Sequence, residues 1–94
     1  MTIQEMLSTE KLAILNKILP VVIRVHGSNH PELAKVGEIY ANLANEEKAK
    51  DEMRALISEM NDAANDFVVP ADACPTYAKT YALLSELKDA ILSL

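Results

Sequence analysis

The 94-residue sequence has few cysteines to cross-link a fold, few glycines to close tight turns and few aromatic residues to fill a core. It contains no Trp, one Phe, two Gly and one Cys, although half of its residues are hydrophobic. Such a core must be packed by Leu, Ile, Val, Ala and Met without the β-branched and aromatic alternation of strands, which favours helices. Because Gly and Pro are few, the helices should be few and long.

A basic surface is also missing. The formal net charge is −5 and Lys and Arg never cluster, which argues against nucleic acid because phosphate binding needs a basic face. No apolar run reaches the roughly 18 residues of a membrane span, and the first residues do not have the pattern of a secretory signal. A single Cys cannot form an internal disulfide. We therefore expect a cytoplasmic protein without nucleic-acid or membrane partners.

The first helix is the most apolar segment. Residues 2–5, Thr-Ile-Gln-Glu, form a capping-box pattern, and Ser8 or Thr9 offers a second start. Apolar residues then spread almost around the helix, which predicts a central position in a bundle or at an oligomer interface. Pro20 predicts a kink or a break into two helices. Gly27 predicts the end of the helix.

Three further helical stripes follow. A second helix is predicted to begin at His30–Pro31, and residues 45–51 are compatible with either a tight turn or a continued helix. A third stripe runs from Met53 to Phe67, and the loop 67–75, with two prolines, leads into a last helix that has Pro75 in its first turn. The pattern predicts an all-α, three- to four-helix up-and-down bundle in one domain, residues 1–94.

Two histidines and the cysteine are the candidate site residues. His26 and His30 are four residues apart, as in helical zinc motifs, but Gly27 and Pro31 interrupt the helix between them and favour a capping or packing role over metal binding. Cys74 precedes a predicted helix N-terminus, where the helix dipole can activate a thiol. With no second Cys and no His near it in the chain, Cys74 is expected to be a small buried hydrophobe, and a redox thiol is the alternative.

Acidic side chains are plentiful, and inward-facing Glu and His side chains on facing helices would build a di-iron site. The acids nevertheless fall on the polar side of the stripes, which indicates a solvated face. The acids concerned are Glu46, Glu47, Asp51, Glu52, Glu59, Asp62 and Asp66.

Two motifs carry a family resemblance. Residues 25–33, Val-His-Gly-Ser-Asn-His-Pro-Glu-Leu, and residues 67–77, Phe-Val-Val-Pro-Ala-Asp-Ala-Cys-Pro-Thr-Tyr, resemble the hemerythrin-like domain of the iron–sulfur cluster repair di-iron (RIC) proteins. The similarity runs from about Ile18 to the end of the sequence. It implies a four-helix bundle with a non-haem di-iron centre that acts in repair after nitrosative or oxidative stress.

The departures from the family pattern concern the ligands. Lys50 stands where the family has a ligand histidine, and Leu94 falls on the histidine of the last helix. The family's first ligand histidine would fall near Met6, and His26 and His30 match positions that are structural in the family. A carboxylate-bridged di-iron site needs about six protein donors, so the resemblance implies a short, divergent member without the centre.

We therefore expect a non-enzymatic helical protein that binds no cofactor and self-associates, with a helix–helix seam along the last stripe at Tyr77, Leu84, Ile91 and Leu94. The alternative is a functional repair protein that binds iron at an unconventional or intersubunit site, using His26, His30 and shared acids.

Overall fold

The structure is a computed structural model that describes residues 1–94, and it contains four α-helices and no strand. A single 3₁₀ turn, Ile3–Glu5, precedes α1 (Thr9–His26), α2 (Glu32–Asn45), α3 (Lys50–Ala63) and α4 (Pro75–Leu92). Each helix packs against its neighbours in the chain, and α1 also packs against α4. Short links make successive helices antiparallel, so the chain is an up-and-down four-helix bundle. The predicted all-α class is confirmed.

The start and end of α1 follow local hydrogen bonding. Ser8 Oγ accepts a hydrogen bond from the Lys11 N–H at 3.2 Å and caps the helix, so the second predicted start is the one used. The capping-box pattern closes only the 3₁₀ turn, where the Glu5 carboxylate accepts from the Thr2 N–H at 2.7 Å. At the other end α1 stops at His26 with Gly27 as its C-cap, as predicted. The Gly27 N–H donates to the Ile23 carbonyl at 2.9 Å.

Pro20 lies inside α1 without splitting it, because Thr9–His26 is one continuous helix. A proline removes the hydrogen bond to the carbonyl four residues earlier, here that of Asn16. Both Pro20 and Asn16 are exposed, so water can satisfy that carbonyl. The helix tolerates the proline because it lies on the solvent side.

The two remaining links also have local causes. Residues 46–49 form a short link between α2 and α3, which decides between the two alternatives left open by the sequence. Helix α3 ends at Ala63, earlier than the stripe that extends to Phe67. Asn65, Asp66 and Phe67 have φ values of 51°, 59° and 57°, and this left-handed backbone cannot continue a right-handed helix. Phe67 is still buried, with its ring 5.5 Å from that of Tyr81.

The interior is one apolar cluster that draws on all four helices. The stripe of α4 lies inside it, since Tyr77, Leu84 and Ile91 are almost completely buried. That stripe is therefore packed within the chain's own bundle and does not offer the predicted seam to a second copy. Helix α1 has one buried face, whereas Val21 and Val25 on its other side are exposed. None of the helices combines the length and the apolar character needed to cross a bilayer.

Candidate functional site

The side chains with chemical potential collect at one end of the bundle, where the α1–α2 turn meets the loop before α4. We call this the histidine–cysteine end and define it by His26, His30, Glu32, Asp72 and Cys74. The up-and-down topology brings together here the C-terminus of α1, the N-terminus of α2 and the N-terminus of α4. The three predicted site residues thus lie in one region, although 48 positions separate His26 from Cys74.

Cys74 and His26 form a pair. The Nε2 atom of His26 lies 3.3 Å from the Sγ atom of Cys74, within hydrogen-bonding distance for sulfur. Cys74 is the N-cap residue of α4 and is partly exposed, and His26 is the last residue of α1. The expectation that no histidine could serve Cys74 is wrong, because it considered only neighbours in the sequence. The packing of α1 against α4 brings the two residues to the same end of the bundle, and no local sequence signal marks the contact between them.

His30 links two loops through a second set of contacts. Its Nε2 lies 2.9 and 3.0 Å from the carboxylate oxygens of Asp72, and its Nδ1 lies 3.3 Å from Glu32 Oε2. The hydrogen bond with Asp72 is the main reason that the pKa of His30 is raised, although burial opposes it. The same bond lowers the pKa of Asp72. His30 therefore connects the α1–α2 turn to the loop before α4 through its contact with Asp72.

Two buried tyrosines lie beneath these groups. The ring of Tyr77 meets that of His26 at 5.0 Å and that of His30 at 5.6 Å, both edge to face, and it meets Tyr81 at 5.0 Å. The hydroxyls of Tyr77 and Tyr81 are buried, and neither makes a well-aligned hydrogen bond, although each is close enough to the other to affect its pKa. Burial raises the pKa of both phenols. These are costly, unused polar groups next to the histidines.

The residues do not fit a metal centre. Nowhere in the chain do three His, Cys, Asp or Glu side chains come together so that they could hold an ion. His26 and His30 turn to different partners, and Lys50 is exposed at the start of α3. No carboxylate is buried; the buried residues are aliphatic, Met, Phe and Tyr residues, with Thr80 and Lys48 as the two polar ones. All seven acids named from the sequence are exposed, so the prediction of a solvated face is confirmed.

A second feature is an open groove between α1 and α2, with a volume of about 750 Å³. These helices have the least contact of the four neighbouring pairs. A Cβ atom on Gly37 would lie 2.6 Å from Ile23 Cδ1, so glycine permits the approach of the helices at that level. The Tyr40 hydroxyl donates to Asn16 Oδ1 at 2.6 Å across the groove. The lining is mainly apolar or small: Leu19, Pro20, Ile23, Ala34, Gly37, Ala41 and Ala44, with Asn16, Glu38 and Tyr40.

Comparison with known proteins gives no relative. No family model, curated protein or solved structure matches the chain. The resemblance to the hemerythrin-like repair proteins stays a prediction that depends on the two motifs, residues 25–33 and 67–77. The structure places both motifs at the histidine–cysteine end.

Proposed function

We propose that this chain is a non-enzymatic helical protein, related to the hemerythrin-like repair proteins, that carries no di-iron centre and acts by protein contact, first of all with a second copy of itself. The observation that supports this most is the α1–α2 groove. It is an apolar depression on a bundle whose interior holds no carboxylate, histidine or cysteine side chain that could bind a metal.

The lining of the groove suits a helix as the occupant. Ala34, Gly37, Ala41 and Ala44 recur at three- and four-residue spacing along one side of α2. Small side chains at this spacing let another helix approach closely, and the close packing of the two helices then stabilises the contact. Glu38 is the single charged residue in the lining, which favours an apolar partner. Exposed Val21 extends the apolar surface along α1.

Charge affects how such an association depends on salt. Each copy carries a formal net charge of −5, so two copies repel each other at long range. Salt screens that repulsion with a Debye length of about 8 Å at physiological ionic strength. Self-association through the groove should therefore strengthen when salt is added, whereas association by surface ion pairs would weaken.

Size-exclusion chromatography with light scattering at micromolar concentration tests the proposal. We expect a dimer in the wild type and a monomer in Ala41→Glu, because the new carboxylate would be buried in the contact. Ala55→Glu is the matched control, since Ala55 is exposed on α3 and is not part of the groove lining. A wild type that stays a monomer at all salt concentrations contradicts self-association.

Metal analysis of the same preparation, purified without a His-tag, tests the other half of the proposal. We expect iron far below one atom per chain, because the structure gathers no set of donors. About two iron atoms per chain, as in a carboxylate-bridged di-iron protein, together with an oxo-bridge absorption band, would instead support the alternative of a working repair protein in the stress response.

A further inference from the structure

The pairing of Cys74 with His26 goes beyond a role in protein contact. A thiol held at the first turn of a helix and bonded to an imidazole has the two elements of an activated sulfur nucleophile, a nucleophile and a base within hydrogen-bonding reach. Neither residue can supply this alone. His26 is the last residue of α1 and Cys74 caps the start of α4, and the bundle brings these two helix ends together. Cys74 as a whole is partly exposed at the edge of the apolar core.

The surroundings of the pair provide an independent reason to look for a ligand here. Tyr77 is fully buried, its ring packs against both histidines, and its hydroxyl makes no well-aligned hydrogen bond, although it lies near the hydroxyl of Tyr81. The carboxylates of Glu32 and Asp72 are near enough to that hydroxyl to raise its pKa further. A buried donor without a well-aligned acceptor is costly in a bundle that satisfies most of its polar groups. The ring that carries this hydroxyl packs against His26, the imidazole that pairs with the thiol.

We propose that Cys74, with His26 as its base, is a site of reversible thiol modification that reacts with small disulfides of the glutathione class. The imidazole of His26 takes the proton of the Cys74 thiol, and the sulfur attacks one sulfur of the disulfide. The disulfide bond of the reagent breaks, a new disulfide forms on Cys74, and the released thiolate takes up the proton. No further oxidant is needed, and a free thiol reverses the reaction.

The site is suited to modification rather than to turnover. Cys74 is the single cysteine of the chain, so no second thiol can release the adduct from within. Removal of the adduct then depends on an external thiol. The modified fraction of the protein therefore follows the ratio of disulfide to thiol in its surroundings. The adduct would sit between the loop that His30 fastens and the first turn of α4.

The experiment measures the rate at which glutathione disulfide adds to the reduced protein, followed by intact mass. At about pH 7 we expect the folded wild type to react roughly tenfold faster than the same chain unfolded in urea, because only the folded chain holds the His26 imidazole within reach of the thiol proton. This comparison needs no variant. Equal or slower reaction of the folded chain would overturn the proposal.

Variants then assign the role of the imidazole. His26→Gln should slow the reaction roughly tenfold at about pH 7 and approach the wild-type rate at about pH 9.5, where a thiol ionises without help. The titratable groups around the sulfur are His26, His30, Glu32, Asp72 and the buried Tyr77. Arg24→Gln is the control, because Arg24 is exposed near the end of the same helix α1 and is not part of the histidine–cysteine end, and it should keep the rate within about twofold. If His26→Gln reacts like the wild type at both pH values, His26 is not the base and the proposal fails.

Discussion

The two ends of the bundle close in different ways. At the end where α1 begins and α4 finishes, the polar groups are largely used in holding chain segments together. The N-terminal amine and the Met1 carbonyl both bond to the backbone of Lys48, and Arg54 Nη2 donates to the carbonyls of Leu92 and Leu94 at 2.9 Å. At the histidine–cysteine end, two tyrosine hydroxyls make no well-aligned hydrogen bond and a thiol faces a base. The first end serves stability, whereas the second retains groups that a stable fold alone does not need.

Among the changes considered, removal of the Arg54 contacts should lower the free energy of unfolding most. Arg54→Ala removes the donor to the Leu92 carbonyl at the end of α4 and to the Leu94 carbonyl beyond it, and we expect a loss of about 1–2 kcal/mol in the free energy of unfolding. The loss is limited because Arg54 Nε is itself buried without a partner. Urea unfolding followed by circular dichroism measures the change. Arg24→Ala, at an exposed position of α1, should stay within about 0.5 kcal/mol. A similar loss in both variants would mean that the carbonyl contacts contribute nothing specific.

Two Tyr→Phe substitutions should change the free energy of unfolding in opposite directions, because one hydroxyl is well hydrogen-bonded and the other is not. Tyr81→Phe deletes a buried hydroxyl that makes no well-aligned hydrogen bond, and it should raise the free energy of unfolding by about 1 kcal/mol. Tyr40→Phe deletes a hydroxyl that donates to Asn16 Oδ1 at 2.6 Å, and it should lower that free energy by about 1 kcal/mol. Thermal unfolding of both variants under one condition tests this. Destabilisation by Tyr81→Phe would show that its hydroxyl has a partner in solution.

The smallest effect is a pH dependence at the histidine–cysteine end. The raised pKa of His30 stabilises the fold below its ordinary value of 6.5, and this contribution is lost as the pH rises through the folded value. The lowered pKa of Asp72 acts in the opposite direction, stabilising above 3.8 and losing its contribution as the pH falls. The stability difference between wild type and Asp72→Asn should therefore be greatest between these two values and should shrink towards pH 8. His30→Asn should reproduce the same profile, and the double variant should add little to either. A difference that does not change with pH would show that the two side chains do not form a pair.

Much of the fold follows from local patterns. The spacing of Leu33, Val36, Ile39 and Leu43 places one face of α2 inward, and Ser8, Gly27 and Pro75 act near helix ends because their local chemistry acts over a few residues. The early end of α3 was not predictable in this way. Non-glycine residues rarely adopt positive φ, and the burial of Phe67 against Tyr81 accompanies that turn.

The sequence by itself determined the helical class and the exposed acidic face, because each depends on periodicity that a chain carries in its own order. Only the tertiary structure decided that the stripe of α4 faces inward, that a groove remains between α1 and α2, and that His26 lies against Cys74. These facts depend on how helices distant in the chain pack together. Residue spacing holds no record of a contact between side chains 48 positions apart.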